Sequence, residues 1–148
     1  MLSMDNLDRF IDSFTAWARQ NAGVLGAAIV GSHARGTARA DSDLDLVILC
    51  QDPSVLLHDD SWLQTWGKTT SKGVEDYGAL TSLRAFYAGG LEVEFGLTTP
   101  NWAAIPVDPG TRNVVCAGMK ILYDPKGFFE NLKNAVADEQ RNKRLQHP

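Results

Sequence analysis

The segment GSHARGTARADSDLD, Gly31 to Asp45, constrains this chain more than any other. It lies between two apolar runs, Val24–Val30 and Leu46–Leu49, and is small and polar until Asp43-Leu44-Asp45. Near-continuous apolar runs of this length are the pattern of strands buried on both faces. The segment therefore reads as a loop between two buried strands, with room for one short helical turn after Gly31. Side chains alternate along a strand, so Asp43 and Asp45 point the same way while Leu44 enters the opposite layer. Their face continues as Val47 and Leu49, which puts the acids at the end of a buried strand rather than along a solvated one. Two like charges about 4 Å apart repel by roughly 4 kcal/mol at an effective dielectric near 20, and a divalent cation would remove that cost. Magnesium suits the position, because it takes a few carboxylate oxygens and fills its other sites with water and phosphate. At the start of the loop, Gly31 permits close backbone approach, Ser32 can donate a hydrogen bond, and a helix start offers unpaired N–H groups to an anion. Arg35 and Arg39 are candidates for contact with a departing anionic group, with a solvated role as the alternative.

The flanking sequence supplies the frame. Leu7, Phe10, Ile11, Phe14, Trp17 and Ala18 recur at helical spacing from Met4 to Asn21, with Ser3 or Asp5 able to cap. Ser54 to Gly67 reads as one helix or two short ones, the second capped by Asp59 or Asp60. Lys68 to Tyr77 is an edge strand or a loop. Thr81–Ala88 and Leu91–Thr98 flank Gly89-Gly90, the signature of a tight hairpin. Leu91, Val93, Phe95 and Leu97 share one face of its second strand, leaving Glu92 and Glu94 on the other. A connector holding Trp102 leads to a helix from Asp108 to Ala117, with Asp108 as cap and Pro109 at its first position. A short strand, Met119–Tyr123, and an amphipathic helix from Lys126 to about Gln140 follow. The tail 141–148 is expected to fray, and the 148 residues suit a single domain.

Composition narrows the function. Fourteen Lys plus Arg against eighteen Asp plus Glu give a net charge of -4, so no general basic field exists to attract nucleic acid. Cys50 and Cys116 lack CxxC spacing and read as reduced core thiols rather than zinc ligands or a disulfide. The start, MLSMDNLDRF, is not a secretory signal, and no apolar stretch approaches the ~18 residues of a membrane helix, so a cytoplasmic protein is expected. His33 reads as a solvated loop histidine, and His58 and His147 show no metal spacing. Arg112 reads as a surface ion-pair partner, and Trp62, Trp66 and Trp102 as core aromatics.

Gly31-Ser32, ten intervening residues and Asp43-Leu44-Asp45 between apolar runs resemble the active-site motif of the DNA polymerase beta-like nucleotidyltransferase superfamily. The resemblance implies an α/β (α+β) fold, a mixed β-sheet flanked by helices. It further implies that Asp43 and Asp45 hold two Mg2+ ions, that Gly31 and Ser32 contact the phosphates of ATP or another NTP, and that a later carboxylate completes the metal site. The stretches GGLEVEFGLTT, Gly89–Thr99, and GMKILYDPKG, Gly118–Gly127, are similar to those of aminoglycoside 6-adenylyltransferase-like enzymes. In those enzymes an acid follows a hairpin glycine by four residues, which favours Glu94 counted from Gly90, with Glu92 as substitute. The implied catalytic set is Asp43, Asp45 and Glu94. The implied activity is Mg2+-dependent transfer of a nucleoside monophosphate, AMP from ATP foremost, to a hydroxyl of a small molecule or partner protein. The aminoglycoside itself is not carried over, because those relatives continue into a helical domain that helps bind the drug. Two alternatives remain. One is an antitoxin-like regulatory protein that binds or nucleotidylates a toxin ribonuclease, which an exposed patch at Trp62 and Trp66 would favour. The other is a nucleotide-binding domain without catalysis, against which the intact Asp43 and Asp45 argue.

Overall fold

Local signals account for most element boundaries in the computed structural model, which describes residues 4–39 and 42–146. Helix α1, Met4–Gln20, buries Leu7, Phe10, Phe14 and Ala18, one stripe of its surface. The capping expected of Ser3 or Asp5 lies outside the described residues and side chains. Strands β1, Val24–Val30, and β2, Leu44–Cys50, are buried along nearly their whole length and enclose the four-residue helix α2, Ser32–Arg35. Helix α3, Pro53–His58, starts at Asp52, whose carboxylate accepts the Ser54 amide, and a separate 3-10 turn covers Ser61–Trp66, with Asp59 accepting the Ser61 amide. The ambiguous stretch after it is an edge strand, β3, Thr69–Asp76. Strands β4, Thr81–Tyr87, and β5, Glu92–Thr98, follow, then a 3-10 turn at Pro100–Ala103. Helix α4, Pro109–Ala117, is capped by Asp108, which accepts from Gly110 and Thr111. Strand β6, Met119–Tyr123, and helix α5, Phe128–Gln146, complete the chain.

The six strands form one sheet in the order β3-β4-β5-β2-β1-β6. The β2–β5 pair is parallel and every other pair antiparallel, so the sheet is mixed, as expected. Alternation divides the side chains between two layers. Leu44, Leu46, Ile48, Val93, Phe95 and Leu97 pack under α1 and the 3-10 turn at Ser61–Trp66. Ala28, Val30, Val47 and Leu49 pack with Trp102, Phe129, Leu132 and Val136 on the other side.

Three expectations are corrected. The hairpin loop spans three residues, Ala88 to Gly90, rather than Gly89-Gly90 alone, because Tyr87 pairs with Leu91 and Phe86 with Glu92. Burial decides this register: it sets Leu83 opposite Phe95 and Ala85 opposite Val93, whereas a one-residue slip would turn apolar side chains out of the core. The tail expected to fray from Arg141 is helical to Gln146, since its residues are good helix formers and Arg141 pairs with Asp138 at 3.3 Å. His147 and Pro148 lie outside the described residues. Finally, Cys116 is exposed on α4 and only Cys50 is a core thiol; the Cys116 Sγ accepts from Gln140 Nε2 at 3.0 Å.

Candidate active site

The parallel pairing of β2 with β5 sets Asp45 directly opposite Glu94, and Asp43 stands two residues ahead of Asp45 on the same face. One carboxylate oxygen from each of Asp43, Asp45 and Glu94 falls within 4.8 Å of the others. Burial pushes the Asp45 carboxyl up to about 7; the Glu94 charge, a hydrogen bond shared with Glu94 and the Asp43 charge push the same way, and the Arg84 guanidinium opposes them. A carboxyl raised this far holds a proton because burial first, and its carboxylate neighbours second, disfavour the charged form. Three converging oxygen donors that keep a proton among them fit a hard divalent cation, which would replace that proton.

Glu92 lies beside this triad rather than in it. A hydrogen bond shared with Asp43 raises its carboxyl above the usual range, and it pairs with Arg84 Nη1 at 3.5 Å. Glu94 is held from β4: Ser82 Oγ donates to Glu94 Oε1 at 2.6 Å, and Arg84 Nη2 donates to Glu94 Oε2 at 3.3 Å. Neither Ser82 nor Arg84 emerged from the sequence. Their signal was their alternation on β4 with buried Leu83 and Ala85, but assigning them to Glu94 needed the correct hairpin register.

Gly31 has φ 74° and ψ -154°, a region essentially limited to glycine. A Cβ there would overlap Asp45 Oδ2, so this glycine lets the Asp45 carboxylate pack against the turn. The Ala34 and Arg35 amides both donate to Gly31 O, and the first amides of such a turn have no intrahelical acceptor. Ser32 is half-buried at its head. Arg35 lines the cleft beside Gly31 and Asp45. Arg39 is exposed on the loop, its amide donating to Ser42 Oγ at 2.7 Å, and it does not line that cleft. His33 is half-buried, with Nε2 3.4 Å from Ser42 O, and so ties the two ends of the loop.

Other expected residues lie elsewhere. Arg112 pairs with Glu139 at 2.6 Å and donates to Val107 O at 3.2 Å, a structural role. Trp62 and Trp66 pack with Phe10, Phe14, Trp17 and Phe95 instead of forming an exposed patch. Trp102 is buried and forms part of the wall of a cleft of about 400 Å3 that opens beside Asp45 and Glu94.

The match to known proteins fits this geometry. Residues 14–77, which contain the Gly-Ser turn and both aspartates, match the family model of the nucleotidyltransferase domain. Among solved structures, an aminoglycoside 6-adenyltransferase from Bacillus subtilis aligns with a TM-score of 0.54 at 15% identity, over 69% of this chain and 37% of that one. A GLD-2/RNP-8 complex aligns at 0.47 and 22% identity over 76% and 37%. A toxin-antitoxin complex with AMP-PNP aligns at 0.45 and 12% identity over 92% and 90%. Comparison with curated protein sequences returns no match. The chain thus spans little more than a third of the length of the adenyltransferase whose fold it shares. The sheet order is that of the adenyltransferase fold, and the acidic face includes the two aspartates within the matched segment. The family match covers residues 14–77, less than half of the chain, and the adenyltransferase alignment shows a shared fold.

Proposed function

We propose that the protein transfers a nucleoside monophosphate, AMP from ATP foremost, to a hydroxyl of a small molecule or protein, with Asp43, Asp45 and Glu94 as its catalytic carboxylates. The convergence of those three side chains beside the Gly31-Ser32 turn carries this reading. Asp43, Asp45 and Glu94 would hold Mg2+, as two ions in the arrangement the superfamily suggests; the metal would supply charge neutralisation and polarise the phosphoryl oxygens. Gly31 and Ser32 would offer N–H and O–H donors to the nucleotide phosphates, and Arg35 would neutralise charge on the departing pyrophosphate. Arg39, outside the cleft, is the weaker phosphate candidate. In the transfer, the acceptor oxygen bonds to the α-phosphorus, the bond from that phosphorus to the bridging oxygen breaks, and pyrophosphate leaves with the bond electrons. The hydroxyl proton passes to the Asp45–Glu94 carboxylate pair, free to accept it once a bound cation has displaced the proton that Asp45 otherwise holds. Ser82 and Arg84 keep Glu94 turned toward Asp45.

Replacement of Asp45 by Asn keeps the shape of the side chain and removes its charge. Incubation with labelled ATP, GTP, CTP or UTP and Mg2+ is expected to give transfer by the parent protein and at least a hundredfold less by Asp45→Asn, with unchanged circular dichroism. Equal transfer by the two proteins sinks the assignment, and the preferred nucleotide identifies the base. The position of the cleft within the cell is not constrained beyond one fact: among the described residues no helix is long and apolar enough to cross a membrane. A cytoplasmic location accords with the Mg2+-nucleotide chemistry and forms part of the proposal.

A further inference from the structure

The cleft beside the carboxylates is unlike a site for a charged sugar. Beyond Asp45 and Glu94 its walls become Val47, Leu80, Trp102 and Val114, and Arg35 at the phosphate end is the one cation among its described lining residues. Its floor is Gly96, in the middle of β5 and on the same face as Glu94. Glycine weakens a strand interior and marks a place where something approaches the backbone closely. A Cβ at this position would stand 3.0 Å from Leu80 Cδ1 and 3.1 Å from Leu46 O, so the missing side chain lets Leu80 pack down onto the strand as the apolar wall beside it. A second groove, of about 720 Å3, continues the first, with Leu80, Trp102 and Val114 lining both.

Direction follows from the order of the strands. Gly31, Ser32 and Arg35 follow β1, whereas Gly96 and Ser82 belong to β5 and β4, on the opposite side of β2. In phosphoryl transfer the attacking and leaving oxygens lie roughly in line across phosphorus. With pyrophosphate leaving over β1, the acceptor arrives over β5 and β4, where the walls are apolar. Beyond the triad the two grooves offer a polycationic acceptor one further carboxylate among their described lining residues, Asp108, so most of its ammonium groups would lose water against Leu80, Val114 and Trp102 without an ionic partner, which is costly. An aliphatic or aromatic body loses nothing there, and its hydroxyl can reach Glu94.

We infer that the acceptor is an amphipathic small molecule, an apolar body carrying a hydroxyl, seated against Leu80, Trp102 and Val114. This rests on the transfer reading above. The test uses 1-octanol and kanamycin as probes in saturation-transfer NMR on the full chain, with and without Mg2+ and a non-hydrolysable ATP analogue. Octanol is expected to receive saturation and kanamycin much less. The signal should fall at least fivefold in Val114→Trp, which fills the groove, and in Leu80→Arg, which charges it. Nucleotide binding by both variants should stay at the parental level, which also reports that they fold. Preferential binding of kanamycin, or an octanol signal unchanged in both variants, overturns the inference while leaving nucleotidyl transfer intact. Displacement of octanol by the ATP analogue assigns the groove to the nucleobase and likewise overturns it. If no nucleotide binds although octanol does, the transfer reading fails first, and the acceptor role falls with it.

Discussion

At Gly31 one missing methyl decides where a carboxylate can sit. The backbone occupies a conformation that side chains rarely adopt, and the space a Cβ would fill belongs to Asp45 Oδ2. Gly31→Ala therefore adds backbone strain, on the order of 1–3 kcal/mol, to a clash that displaces Asp45 from Glu94. The expected result is a lower urea midpoint with an unchanged slope, together with loss of nucleotide transfer. A variant as stable as the parent would show that the turn relaxes freely and that Gly31 serves only the approach of phosphate. The sequence reading gave this glycine a phosphate role alone. Its contact with Asp45 was not legible, because it depends on the pairing of Val30 with Asp45 across β1 and β2, a relation between residues far apart in the chain.

Elements were more legible than the contacts between them. The apolar runs of β1 and β2, the Asp108-Pro109 start of α4 and the amphipathic stripe of α1 each follow from local spacing, and the structure keeps them. What local spacing left open was decided by packing across the sheet. The three-residue hairpin loop brings Arg84 opposite Glu94, and the start of α5 is set by Asp124, whose two oxygens accept from Phe129 and Glu130. The cysteines show the same limit. Cys50 faces the core on β2, and burial pushes its thiol up to about 12. Cys116 lies on the outer side of α4. A thiolate is the reactive form, so at pH 8 a water-soluble disulfide reagent should modify Cys116 at once and Cys50 only after denaturant is added. Rapid modification of both thiols in the native protein would mean that β2 opens readily, which its central place in the sheet argues against.

For the molecule as a whole, the carboxylate face sets stability against function. An Asp45 carboxyl has an ordinary value of 3.8 and stands at about 7 in the fold. Between those values the folded state holds a proton that the unfolded chain has released, so folding stability falls as pH rises through this window. The contribution is complete below pH 4 and gone above pH 7. Arg84 offsets only part of the cost, being 36% exposed and shared between Glu92 and Glu94. A divalent cation reverses the balance, because it competes with the proton and binds more tightly as Asp45 ionises. At a concentration a hundred times its dissociation constant it adds about 2.7 kcal/mol. Thermal melts without metal, with chelator present, are thus expected to decline from pH 5 to pH 7.5. With 10 mM Mg2+ or Mn2+ the melting temperature should rise by several degrees at pH 7.5 and hardly at all at pH 5. Asp45→Asn, with no proton to lose at this site, should flatten the metal-free decline and abolish most of the metal-dependent rise. If the parent protein showed the same metal shift at both pH values, or if Asp45→Asn kept it, the cation would be binding away from the triad. The three carboxylates would then be a strained feature of the fold and not its metal site.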